Sequence, residues 1–177
     1  QLLKQLLAAN YPVIVEVASK IDPQDANGPG DDLWDAHYLL LTGYDDTAQT
    51  FTVQDPQHGA KLDADKKIPY DALVSDWKPF NYLYMIMYFP QDEGEVTSIL
   101  GTNWDANQNR KNAMDIANAA IKSNPKDKFA WFNLGSNLVY FERYPEAAQA
   151  YDQAFIIGLP QRMTRYQFGQ FFSYYNA

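Results

Sequence analysis

Gly101, Gly135 and Gly169 stand 34 residues apart, and Ala113/Ala147 and Ala120/Ala154 keep the same offset. A period of that length marks a chain built from stacked copies of one helical hairpin, each unable to bury its apolar face without neighbours. The intervening segments agree with this. A short helix is predicted from Asp92 to Leu100 with Gly101 as its stop, then a longer one opening at Trp104 or Asp105 and running to about Ser123, with Ala113, Ile116, Ala117, Ala120 and Ile121 on one face. Helices over 128–141, 145–157 and 162–175 follow, with Pro125, Pro145 and Gly158 at the junctions. Small residues at the offset positions let antiparallel helices approach closely, while Trp131, Leu134, Tyr151 and Ala154 fill the seam.

The first half has a different period. Leu2, Leu3, Leu6 and Leu7 fall on one face of a short helix that Asn10 caps, and Val13–Val17 is a β-branched strand. Residues 37–42 and 50–54 read as a hairpin, 66–69 as an edge strand, 70–77 as a helix and 82–89 as a last strand. The fold class is therefore α+β, an antiparallel sheet in residues 1–90 followed by an all-α region in 91–177. Charge supports a division near Pro90, since residues 1–90 hold 6 Lys, no Arg and 13 acids against 8 basic and 9 acidic side chains beyond it.

A net charge of -8 without clustered Lys or Arg argues against a nucleic-acid surface. No apolar run approaches the roughly 20 residues of a membrane span, and QLLKQLLAAN is too short for a signal peptide. The absence of cysteine excludes disulfides, Cys-ligated zinc and a thiol nucleophile in this chain. It leaves the compartment open, and a cysteine-free surface rich in Asn, Asp and Tyr is compatible with secretion, so an extracellular or cell-surface location is the favoured expectation.

Candidate chemistry centres on the hairpin from His37 to Gly59. Counting back from its turn aligns Asp55 with His37, so the aspartate can accept the Nδ1 proton and leave Nε2 to activate a nucleophile. A strand-end histidine and an Asp-Pro turn are the plainer alternative. Asp22, Asp25, Asn27, Asp31 and Asp32 are hard oxygen donors of the kind that bind calcium, but their spacing matches no EF-hand, and a solvated acidic loop is the preferred reading. His58 is expected to face solvent, and two histidines without a third ligand make a poor zinc site. Trp34 either walls the site or covers the core. No cofactor is expected.

Taken in order, the Tyr-Pro-Val-Ile-Val strand, His-Tyr-Leu-Leu-Leu-Thr-Gly-Tyr-Asp-Asp, Val-Gln-Asp-Pro-x-x-Gly and Ile-Pro-Tyr-Asp-x-Leu-x-x-x-Trp resemble the bacteriocin-processing cysteine peptidases, family thirty-nine, over residues 1 to about 89. Those bacterial enzymes are papain-like. The resemblance implies a papain-like half-domain in which His37 is the general base and Asp55 orients it, acting on a peptide or protein substrate. The family's nucleophilic cysteine opens an N-terminal helix preceded by an oxyanion-hole glutamine, and this chain contains neither. Gln1 and Gln5, on the expected next helix, take no such role. A chain with the base but no thiolate is expected to be inactive alone, whether the cysteine segment was lost or a separate chain supplies it.

The segment FAWFNLGSNLVYFERYPEAAQAYDQAFIIGLP resembles a tetratricopeptide repeat, with Leu138 and Leu159 where that family often has Tyr and Pro. A degenerate repeat precedes it and a single first helix follows. The last helix carries Tyr166, Phe168, Phe171, Phe172, Tyr174 and Tyr175, more aromatic surface than one neighbour covers. Either it caps the array or a partner, such as another copy, covers it, and a heterologous contact of that kind gives rings or filaments. Two function classes follow: a catalytically incomplete peptidase whose repeats hold a protein partner, and a self-assembling interaction scaffold.

Overall fold

The computed structural model describes the chain except for Asn27, Pro29 and residues 57–62, and the side chains of Asp63 and Ala64. Asn27 of the acidic loop, His58 and Gly59 therefore lie outside the described residues. Two compact units are present, one of residues 1–18 and 37–104 and the other of residues 19–36 and 105–177.

In the first unit, helix α1 (Leu2–Ala8) buries Leu3, Leu6 and Leu7. Ala9 is its C-cap, and Asn10 takes the left-handed position just after it, with φ 62°. Asparagine tolerates that conformation better than most residues. Strands β1 (Val13–Lys20), β2 (Trp34–Asp45), β3 (Thr50–Asp55), β4 (Asp63–Pro69) and β5 (Tyr84–Ile86) form one sheet in the order β4-β3-β2-β1-β5. Pairs β2/β3, β3/β4 and β1/β5 are antiparallel. Strict alternation buries Val13, Val15 and Val17 on β1, and Phe51, Val53 and Asp55 on β3.

The three β1 valines, Phe51 and Val53 join Leu6, Leu41 and Leu73 of α2 (Tyr70–Trp77) in one core. Helix α3 (Glu93–Leu100) adds the fully buried Val96 to the same core, so the unit continues to Trp104. Tyr11 Oη donates to Glu95 at 2.8 Å, and that bond to a carboxylate pushes the phenol up to about 12. The expected strand 82–89 is reduced to three residues. Asn81 and Tyr82 both adopt left-handed backbone, with φ 53° and 57°, so the chain is still turning where the strand was predicted to begin.

In the second unit, α4 (Ala106–Ser123) is capped by the Asp105 carboxylate, which accepts the Gln108 N–H at 2.8 Å. Asp127 caps α5 (Lys128–Tyr140) through the Ala130 N–H at 3.1 Å. Helix α6 (Tyr144–Ile157) has Pro145 in its first turn and stops at Gly158, whose φ of 107° suits glycine. Successive helices pack α4 on α5, α5 on α6 and α6 on α7 (Gly169–Asn176). Among the described residues no helix is long and apolar enough to cross a membrane.

Tyr151 of α6 organises this packing. A Cβ at Gly135 would lie 2.8 Å from its ring and one at Gly169 would lie 2.3 Å from its hydroxyl, so two of the offset glycines are notches for one side chain. Gly101 shares the spacing but not the role. Nothing lies within 4 Å of its would-be Cβ, and its φ of 54° serves the end of α3.

The helix predicted over 162–175 is broken. Residues 161–165 form a 3-10 turn, and α7 begins only at Gly169. Side-chain ties from residues 19–36 explain the interruption. Arg162 Nε donates to Asp31 Oδ1 at 2.5 Å while its Nη2 donates to Oδ2, Tyr166 donates to Asp35, and Trp34 packs on the Tyr166 ring with centroids 5.7 Å apart.

Candidate active site

Alternation along β3 turns Thr52 and Gln54 outward and carries Asp55 inward, where its carboxylate is almost completely buried. A buried carboxylate is tolerated only when its oxygens receive strong donors. Both do. His37 Nε2 lies 2.6 Å from Oδ1, and Lys66 Nζ of β4 donates to Oδ2 at 3.1 Å. The imidazole is mostly shielded and the lysine is partly open to solvent.

The route by which the pair meets differs from the one expected. Leu40 faces Gln54 and Leu41 faces Val53, and the register then shifts so that Gly43 faces Thr52. Extending the first register sets Asp55 beside Leu39, and His37 reaches it diagonally from two residues away, within the range of a ring. The diagonal approach presents Nε2 to the carboxylate. Nδ1, predicted to face Asp55, is the nitrogen left to take a proton from a reacting group.

The sequence places Lys66 on an edge strand and gives it no part in the site. It pairs with Val53, an inward-facing position two residues from Asp55, and a lysine opposite a core valine is the signal that reveals its partner. On the neighbouring position Tyr38 hydrogen-bonds Glu16, whose carboxyl is pushed up mainly by burial and partly held down by that phenol.

The remaining candidates lie elsewhere. Trp34 covers Tyr166 in the second unit. Asp22 accepts the Gln24 N–H at 2.9 Å at a 3-10 turn, Asp31 holds Arg162, and Asp32 accepts the Trp34 N–H at 3.1 Å. Among the described residues no cluster of three or more His, Asp or Glu is placed to hold a metal ion.

Residues 1–85 match the model of the peptidase C39-like family, a stretch that contains all five strands except the end of β5. The fold is α+β, with the antiparallel sheet of a papain-like half-domain preceding a helical-repeat region. A peroxisomal targeting signal receptor of Kluyveromyces lactis is 37% identical over 73 residues, which is 41% of this chain. That alignment covers only 13% of the receptor's own length. No solved structure matches the chain.

Proposed function

We propose that this chain is the base-bearing part of a papain-like cysteine peptidase, with residues 1–90 carrying the peptidase-like site and residues 91–177 a tetratricopeptide interaction module. His37 is the general base and Asp55 its orienter. The supporting observation is the 2.6 Å contact between His37 Nε2 and the buried Asp55 carboxylate inside the stretch that matches the peptidase family. Nδ1 then takes the proton of a cysteine thiol, and the thiolate attacks the peptide carbonyl. The resulting imidazolium protonates the departing amine, and water attacks the acyl-enzyme to release the acid. The thiol comes from outside these 177 residues, which contain no cysteine, so the chain alone does not hydrolyse peptides.

Likeness to part of a targeting-signal receptor supports the interaction role of the helices, which hold a protein partner or substrate. The test is an activity-based thiol probe on protein isolated from its source, read by intact mass. Labelling of an accompanying cysteine-bearing segment, lost when His37 is replaced by Ala, is the expected result. If no such segment accompanies the chain and no peptide is cut, the peptidase reading fails.

The absent cysteine together with the exposed aromatics of α7 favours a second reading, a non-catalytic scaffold that assembles through its helices. A large, probe-insensitive assembly would select it.

A further inference from the structure

Edge strand β4 does not run evenly beside β3. Val53 faces Lys66 and Asp55 faces Asp63, so β4 takes three steps where β3 takes two. The additional residue is a bulge, a device that raises the local twist and re-aims a neighbouring side chain. Asp65 sits in it with left-handed backbone, φ 57°. Gln54 of β3 fastens it from the outer face, accepting the Asp65 N–H at 3.3 Å and donating through Nε2 to Asp65 Oδ1 at 3.0 Å. Lys66 follows directly. It leaves the bulge on the inner face and places Nζ 3.1 Å from Asp55 Oδ2.

An inward lysine on an edge strand also guards against pairing with another chain. That role asks only for a charge on the edge, and Lys67, which donates to Thr52 on the outer face, already fills it. What the bulge adds is the aim. The Asp55 side chain is 4% exposed and that of Lys66 41%, so the ammonium meets an enclosed carboxylate from the solvent side.

His37 lies on the same inner face as Leu39 and Leu41, with Nε2 on the other oxygen of Asp55. Further acids near the ring are engaged elsewhere. Asp35, two residues before it, takes the Tyr166 hydroxyl, and Glu16 pairs with Tyr38 on the outer face. Asp63 faces Asp55 through the backbone ladder, and its side chain lies outside the described ones. A buried carboxylate serving His37 alone would hold the imidazolium strongly and leave the ring unable to accept another proton. A second cation on the same carboxylate weakens that hold.

We propose that Lys66 is a positioning residue of this site: it fixes Asp55 Oδ2 and shares the charge of the carboxylate, so that the His37 imidazolium is held less firmly and Nδ1 is opened to a proton. This rests on the reading of His37 as the base and adds the group that keeps it one.

Two-bond 1H–15N correlation spectra of the 177-residue chain across pH read both nitrogens of each ring. His37 and His58 are the only histidines, and His58→Gln identifies the His37 signals. Lys66→Met keeps the length of the side chain and removes its charge. The pH at which the His37 ring takes its second proton is expected to rise by about 0.7, roughly a fivefold gain in proton affinity, while Lys66→Arg keeps it within about 0.2 of the parent.

A midpoint unchanged or lowered in Lys66→Met reduces the contact to an incidental ion pair and overturns the proposal. An equal shift in Lys66→Arg overturns it too, because the effect then follows the shape of the side chain and not its charge. So does a Lys66→Met chain that fails to fold, which makes the lysine structural. The peptidase reading fails separately, by the absence of a thiol-labelled segment, a result that leaves the His37 midpoints where they are.

Discussion

The sheet unit buries one carboxylate between two side-chain nitrogens, whereas the helical unit buries uncharged polar side chains such as Asn137, Gln170 and Ser173 and turns the aromatics of α7 outward. Asp55 is buried with a nitrogen of His37 or Lys66 against each oxygen, so its carboxylate is held from two sides. In the helices the interior rests on one tyrosine in two glycine notches, and the outer aromatics of α7 remain open. Polar satisfaction in the sheet is met within a few residues of β2, β3 and β4. Apolar satisfaction in a repeat depends on neighbours, so the two units fail under different substitutions.

The largest expected effect is on the helical side. Tyr151→Ala empties a fully buried site and should cost about 3–5 kcal/mol, read as lost hydrogen-exchange protection of α5 and α6 amides. In the sheet, Asp55→Ala leaves His37 and Lys66 without their carboxylate and should cost about 3 kcal/mol, the low end for a broken buried pair because Lys66 can turn to solvent. Urea denaturation of the variant measures it. A cost indistinguishable from that of Lys66→Met, expected at about 0–1 kcal/mol, would remove the contrast between a preorganised site and an incidental ion pair.

A smaller effect separates the glycines. Gly169→Ala sets a Cβ against the Tyr151 hydroxyl and should cost about 1–3 kcal/mol, and Tyr151→Phe, which removes that hydroxyl, should relieve most of it. Gly101→Ala meets only left-handed strain of about 1–2 kcal/mol, which no change at Tyr151 relieves. Thermal melts of the single and double variants read the difference.

The smallest effect concerns pH. Burial raises the Glu16 carboxyl above its ordinary value, so the folded state binds a proton more tightly than the unfolded chain and loses stability as pH rises through that window. Glu16→Gln should therefore be more stable than the parent at pH 7 and lose that advantage below the ordinary carboxylate range. Denaturation midpoints at the two pH values decide the sign.

Much of this was legible in the residues. Asp105, Asp127 and Gly158 mark helix ends because their side chains or backbone satisfy terminal groups locally, and the alternation of 51–55 fixes which side of β3 is buried. The meeting of His37 with Asp55 was legible as a pairing but not as a geometry. The register shift lies within Leu-Leu-Leu-Thr-Gly, where nothing before Gly43 breaks the pattern, and without it the facing ring nitrogen cannot be assigned. Local pattern also overextended two elements. Tyr82–Phe89 is continuous in β propensity, yet two left-handed residues delay the strand, and the helical pattern of 162–175 yields to Arg162 and Tyr166, each fixed by an aspartate some 130 positions earlier.

That last tie has a consequence for dissecting the molecule. Strands β1 and β2 both run past the limits of the first unit, and the excursion between them supplies the carboxylate that neutralises Arg162. The helices are therefore not a cassette that one cut at residue 104 can release. A fragment of residues 105–177 would inherit a sheltered guanidinium stripped of its counter-charge, and grafting the repeats onto another scaffold calls for two junctions and the loan of residues 19–36.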